Sequence, residues 1–369
     1  MKLNNNLKYS KLKNLLKEKK FKNFFIITGK NSFRKSNFYN LFLKKSKKNF
    51  ILHYKDNKNY CHTNELKKII QKINIHNPDL ILAIGGGTVI DYAKMASVTW
   101  KNSNNNNIQF RSKNVLKKKF LTLIIPTTAG SGSEVTSFAV IYEKNIKFSI
   151  ESELLNVDYF FLVPELLLNS SRKIRAASGF DAISQSIESI FSMKSNYVSL
   201  KYSLKSLNYS LKNFLNFVNY PNLKNITKMQ VAANYSGKAI NIAKTNVPHA
   251  LSYFLSYKYK ILHGLAVSIF FTNSIIFFHH SIKNRKSILF NKFKLLFRAM
   301  KIKNIKEFKS YFVKILLKSG INKYIYPYKK KLNTDINKLI FSVNKERLNN
   351  SPLRIRNNDL RGIILKSLN

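Results

Sequence analysis

Residues 78–97 read PDLILAIGGGTVIDYAKMAS. A short apolar run ends in three consecutive glycines and continues into helix-spaced residues. A strand that turns on glycine into a helix is half of a β-α-β unit, and such units demand a parallel sheet with helices on its faces. The same pattern recurs. FKNFFIITGK (21–30) and NFILHYKD (49–56) read as buried strands, and ELKKIIQKINIH (65–76) as an amphipathic helix. KKFLTLIIPTTAGSGSE (118–134) reads as a strand running into a loop of small residues. Leu12, Leu15 and Leu16 have helical spacing and predict a first helix, and NSNNNN (102–107) reads as a polar loop. From about residue 166 the pattern is mostly helical. The expected architecture is an α/β dinucleotide-binding domain over 1–165 and an all-α domain over 166–369.

Charge raises a competing reading. The 369 residues hold 65 Lys and Arg against 17 Asp and Glu, a formal charge of +48, which points to nucleic acid or an anionic surface. Codon bias accounts for more of the sequence. Lys, Asn, Ile, Phe and Tyr are together abundant, whereas Gly (11) and Pro (7) are scarce. Pressure toward A/T-rich codons explains Lys and Asn alike, and selection for phosphate binding explains only Lys. The lysines are also spread along the whole chain, as solvated faces are. A single cysteine, Cys61, excludes an internal disulfide and fits a reducing, cytoplasmic compartment. The most apolar stretch, LAVSIFFTNSIIFF (265–278), is interrupted by Thr272, Asn273 and Ser274 and reads as a buried helix. The basic N-terminus lacks an apolar signal core.

Three groups of residues carry chemistry. Gly86, Gly87 and Thr88 open a helix after a strand, where free N–H groups and the positive end of the helix dipole suit a pyrophosphate. Thr127, Thr128 and Ser131 put hydroxyls on a loop leaving a strand's carboxyl end, where open α/β sheets bind ligands. In the helical half, Asp181 and Gln185 are four apart on one helix face, and His249 and His263 follow. A carboxylate with two imidazoles suits Fe(II) or Zn(II). The other five histidines read as structural.

Taken in order, GGGTVIDYAK, PTTAGSGSEVTSF, GFDAISQSIES, KTNVPHALSY and HG resemble the iron-containing (group III) alcohol dehydrogenase family over nearly the whole chain. SVNKERLNNSP (342–352) resembles its phosphonoacetaldehyde reductase-like branch. The resemblance implies a dehydroquinate synthase-like fold, an α/β N-terminal domain followed by an all-α C-terminal one. It also implies a divalent metal held by Asp181, His249 and His263, and NAD or NADP as hydride carrier. Gln185 stands where most members have His, so either its amide oxygen or a water fills that place. Tyr253 stands where most have a second late His and becomes the candidate proton relay. Val163 replaces the usual Asp before Pro164. Asp56 matches an acid near the adenosine ribose, which favours NAD, although Lys55 and Lys58 flank it; Lys147 matches a lysine near the cofactor. The implied reaction is hydride transfer between nicotinamide and a small aldehyde or alcohol, such as phosphonoacetaldehyde. An anionic substrate calls for a cation, and Lys244 is the candidate. A homodimer is expected, with neither membrane nor specific nucleic acid as partner. On this reading Gly130 and Gly132 are retained because their loop wraps a dinucleotide. The alternatives are another small aldehyde or hydroxy acid on the same fold, or a catalytically decayed, basic nucleic-acid- or surface-binding protein.

Overall fold

The structure is a computed structural model that describes residues 21–30, 33, 49–101, 108–144, 146–282 and 284–368. The helix expected at Leu12–Leu16 and the loop expected at 102–107 lie outside these residues. The chain divides into two compact units. One comprises 1–128 and 133–170, the other 129–132 and 171–369.

The first unit is built on a parallel five-stranded sheet. Its strands are β1 (Asn23–Thr28), β2 (Asn49–Tyr54), β3 (Leu80–Gly85), β6 (Leu121–Pro126) and β9 (Tyr159–Phe160), in the order β2-β1-β3-β6-β9. All six residues of β3 are buried and so are the last five of β1, which is why these strands read as unbroken apolar runs. The carboxylate of Asp79, just before β3, accepts the N–H groups of Lys22 and Asn23 and fixes the start of β1. Helix α1 (Thr63–His76) leads into β3, and α2 (Gly87–Ala96) leaves it through the glycine turn. Two antiparallel pairs accompany the sheet: β4 (Val98–Trp100) with β5 (Val115–Lys118), and β7 (Phe138–Glu143) with β8 (Ile146–Glu151). The strand-and-helix alternation read from sequence does not anticipate them.

In the second unit α3 (Arg172–Phe191), α4 (Tyr197–Asn219), α5 (Leu223–Ala243), α6 (Val247–Lys258) and α7 (His263–His280) pack together. Six further helices follow among the described residues: α8 (Ile288–Met300), α9 (Ile305–Ser319), α10 (Ile321–Leu332), α11 (Ile336–Phe341), α12 (Lys345–Asn349) and α13 (Asn357–Leu368). Sixteen of the twenty residues of α3 are buried, so its polar side chains are interior ones. No helix among the described residues is long and apolar enough to cross a membrane.

The loop glycines have a packing reason that the sequence reading does not give. Residues 129–132 pack with the helices. A Cβ on Gly130 would lie 2.6 Å from the Ser178 carbonyl oxygen of α3. One on Gly132, whose φ is +59°, would lie 2.5 Å from both the Ala233 carbonyl oxygen and Gly237 Cα of α5. Close backbone approach within the helical unit by itself demands glycine at both positions.

Candidate metal centre

Helix α3 is capped by Ser171, whose hydroxyl accepts the Ile174 N–H. It presents Asp181, Gln185 and Glu188 along one face. Helix α6 begins at Val247-Pro248, a favoured place for proline, and puts His249 in its first turn. Helix α7 starts with His263-Gly264. A Cβ on Gly264 would lie 1.9 Å from the Ala177 carbonyl oxygen and 3.1 Å from Asp181 Cβ. Only glycine lets α7 close on α3 here, and that contact carries His263 to Asp181.

The three side chains converge. Asp181 Oδ1 lies 3.3 Å from His249 Nε2 and 3.9 Å from His263 Nε2. One ligand atom from each residue lies within 4.8 Å of the others. Asp181 and His249 are buried, whereas the His263 side chain is 39% exposed, so the cluster opens on the His263 side. Asp181 Oδ1 and His249 Nε2 are both buried and make no hydrogen bond. A buried polar atom left so costs about 1–3 kcal/mol. A divalent cation among these three residues satisfies both atoms at once, and two imidazoles with a carboxylate suit Fe(II) or Zn(II). The residues present fit such an ion.

The surrounding groups hold these atoms in place. Gln185 donates its Nε2–H to Asp181 Oδ2 at 3.0 Å, and its amide oxygen accepts the Ser236 hydroxyl at 3.0 Å. The atom expected to ligate is therefore turned to Ser236, and Gln185 acts on Asp181 instead. The sequence reading passes over Glu188, which is fully buried. Its carboxylate takes His249 Nδ1 at 2.5 Å and the Asn246 N–H at 2.9 Å. A carboxylate on one imidazole nitrogen fixes the tautomer that leaves the other nitrogen's lone pair for a metal. Its only sequence signal is its place on the face that bears Asp181. Burial lowers the His249 pKa, but Glu188 and then Asp181 outweigh it and raise the value to about 9. Burial acts upward on Asp181, yet His249 and His263 hold its carboxyl below the usual range.

Tyr253 stacks on His263 with ring centroids 5.9 Å apart and planes 17° apart. Burial raises its pKa, and the nearby Arg347 acts against that rise. Lys244 is buried at the end of α5 with φ +62°, and its ammonium donates to the Asn241 carbonyl at 3.1 Å.

In the first unit the glycine turn and the hydroxyl loop meet. Thr127 N–H donates to the Gly85 carbonyl, and a Cβ on Gly86 would lie 3.2 Å from the Thr128 side chain. Thr88 is near them, its hydroxyl on the Asn59 carbonyl. Asp91 and Lys94 of α2 brace the neighbouring segment. Asp91 accepts the Ser133 hydroxyl and the Val140 N–H, and buried Lys94 donates to the Ser133 and Phe138 carbonyls and the Thr136 hydroxyl. Burial raises the Asp91 pKa, and Lys94 and, more weakly, Lys147 on β8 act against that rise. Ser131 stands apart from this group, in the segment that belongs to the helical unit. Asp56 follows β2, two places from the glycine-bearing β3, with β1 between. Its carboxylate is engaged by His62 Nε2 at 2.5 Å and by the Lys58 N–H. Asp56, His62 and Glu65 form a second cluster of potential ligands, but its members are already paired, Asp56 with His62 and Glu65 with His53.

Comparison with known proteins accords with this geometry. The iron-containing alcohol dehydrogenase model matches residues 4–164, and the C-terminal model of the Fe-containing alcohol dehydrogenase family matches 175–324. The 4-hydroxybutyrate dehydrogenase of Clostridium kluyveri is 31% identical over 212 residues, 56% of this chain and 57% of that protein. The phosphonoacetaldehyde reductase of Streptomyces viridochromogenes is 28% identical over 201 residues, 52% of this chain and 51% of that one. The matches thus span little more than half the length of these relatives. The sulfoacetaldehyde reductase of Bifidobacterium kashiwanohense, solved in complex with NAD+, shares the fold with a TM-score of 0.83 and 21% identity, over 97% of this chain and 94% of that one. With both family models matched in order along one chain, the protein belongs to the iron-containing alcohol dehydrogenase family.

Proposed function

We propose that the protein is a metal-dependent, NAD(P)-linked alcohol dehydrogenase that reduces a small aldehyde. One observation carries the reading: Asp181 Oδ1 and His249 Nε2 are buried without hydrogen bonds, side by side and next to His263. When bound, the divalent ion supplies a Lewis acid and the nicotinamide a hydride. The balanced reaction is aldehyde + NAD(P)H + H+ to alcohol + NAD(P)+. Asp181, His249 and His263 hold the ion. Glu188 keeps the His249 proton on Nδ1, and Gln185 turns Asp181 Oδ1 inward. The N-terminus of α2 at Gly86–Thr88, with Thr127 and Thr128, binds the dinucleotide phosphates. Tyr253, stacked on His263 at the open side of the cluster, serves as donor and relay for the proton that the alcohol gains.

For the substrate, the resemblance of 342–352 to one branch and the Streptomyces relative support phosphonoacetaldehyde, giving 2-hydroxyethylphosphonate. The Clostridium relative supports the semialdehyde of a four-carbon acid. Both carry an acidic group a short distance from the carbonyl.

The test is NADH and NADPH oxidation against a panel of small aldehydes, with metal analysis of the same sample. His263→Ala should lose both metal and turnover while remaining folded. Full turnover by a metal-free sample would sink the proposal.

A further inference from the structure

Resting on that aldehyde reductase reading, we infer that Gln185 determines specificity by staying out of the ligand set. The coordination position it leaves takes a second oxygen of the substrate, so the protein selects aldehydes whose acidic group can chelate the metal. Gln185 is buried four residues after Asp181 on α3, on the face that bears the cluster. Both ends of its amide are engaged elsewhere. A carboxylate only accepts, so the end at Asp181 Oδ2, 3.0 Å away, must be the nitrogen. The oxygen is then the end at the Ser236 hydroxyl of α5, also at 3.0 Å. The same arrangement occupies Asp181 Oδ2 and leaves Oδ1 as the carboxylate oxygen without a hydrogen bond. Among the described residues, three donor atoms therefore converge on the place of the ion: Asp181 Oδ1, His249 Nε2 and His263 Nε2.

Three donors do not complete either candidate ion. Zinc takes a fourth ligand and expands to a fifth, and two imidazoles with one carboxylate leave several positions on Fe(II). Asp181 and His249 are buried, so the remaining positions lie on the side of His263, whose side chain is 39% exposed. Adjacent positions on one open side suit a ligand with two oxygens a short distance apart. The carbonyl oxygen of the aldehyde is one. An oxygen of a phosphonate on the neighbouring carbon is the other, and it closes a six-membered ring. A carboxylate one carbon farther closes a larger ring, which holds less well. The metal itself is then the cation that an acidic substrate calls for. Lys244, the candidate from sequence, donates its ammonium to the Asn241 carbonyl of its own helix.

The experiment uses the full chain loaded with cobalt(II), whose visible spectrum changes with the number of its ligands. The probes are two alcohols, 2-hydroxyethylphosphonate and 4-hydroxybutyrate, each set against its counterpart without the hydroxyl, ethylphosphonate and butyrate. In wild type, 2-hydroxyethylphosphonate should shift the spectrum and bind on the order of tenfold more tightly than ethylphosphonate, the size of one added bond to a charged centre. The hydroxyl of 4-hydroxybutyrate should add less. Gln185→His, which offers a nitrogen donor from the same helix position, should hold the metal on the order of tenfold or more tightly in competition with a chelator. It should also lose the preference for the hydroxyl-bearing phosphonate. Should that variant not fold, the paired affinities and spectra of wild type carry the test. Equal affinity within the phosphonate pair, an equal gain in both pairs, or a preference that persists in metal-free protein overturns the chelate. A preference that survives Gln185→His, or is lost without tighter metal, overturns the role of Gln185. Failure of loaded wild type to reduce any aldehyde overturns the reductase reading instead, while the spectra and affinities, which need no turnover, decide the chelate separately.

Discussion

At the scale of single residues, the centre depends on which atom each side chain leaves for a ligand. Glu188 holds Nδ1 of His249, so the metal-facing nitrogen is set by a residue outside the ligand set. Glu188→Gln still fits the space but removes the charge opposite the imidazole. Metal affinity should fall on the order of tenfold or more, measured by competition with a chelator, and unchanged affinity would refute the role. Gln185 is a different case. Gln185→Leu leaves the buried Asp181 Oδ2 without its bond from the amide, while the Ser236 hydroxyl keeps the Ala233 carbonyl. That should cost about 1–3 kcal/mol in urea unfolding, and no loss of stability would show that the network is dispensable. Asp181, His249 and His263 were legible in the sequence because their residue types at those distances have few other uses. Glu188 was not, since a glutamate in a helix is usually a solvated residue.

Among elements, the key contact is α7 on α3. Gly264→Ala forces a methyl group against the Ala177 carbonyl, and helix backbones cannot give by such an amount without shifting. Thermal stability should drop and metal should be lost together, because the same displacement carries His263 away from Asp181. A stable Gly264→Ala protein with full metal content would disprove the coupling. The long elements were readable in advance: β1, β3 and β6 are buried runs of β-formers, and α3 to α7 have helical spacing. The two antiparallel pairs were not. Strands of three or four residues, such as β4 and β5, have too short a pattern to register, and their pairing is decided by partners outside the local sequence. The packing of the loop glycines was hidden for a related reason, since a glycine facing a ligand and one facing a helix backbone look identical in one dimension.

For the whole molecule, the charge of +48 sets the terms. Like charges on a compact surface repel, and salt screens them over about 8 Å at physiological strength. The melting temperature should therefore rise from low to moderate salt, and nucleic acid should bind weakly, without sequence preference, and less as salt rises. Tight sequence-selective binding at physiological salt would overturn that expectation. Acid acts through the few carboxylates. Asp335 is held below its usual pKa, first by hydrogen bonds from Lys258 and Tyr259. Its contribution is complete above the unfolded value, about 3.9, and vanishes as pH falls through the lower folded value. The stability gap between wild type and Asp335→Asn should thus be widest near neutrality and close in strong acid, and a gap independent of pH would contradict this. The segment 129–132 has a consequence for the gene as much as for the protein. Because four residues encoded amid the sheet unit complete the helical one, neither unit is a single stretch of message. A cut at 170/171 yields a C-terminal fragment with a bare groove along Ser178, Ala233 and Gly237, and an N-terminal fragment trailing a loop that has lost its seat. Neither half is an heirloom that recombination can pass on intact, so the two units are bound to be inherited, and to diverge, as a pair.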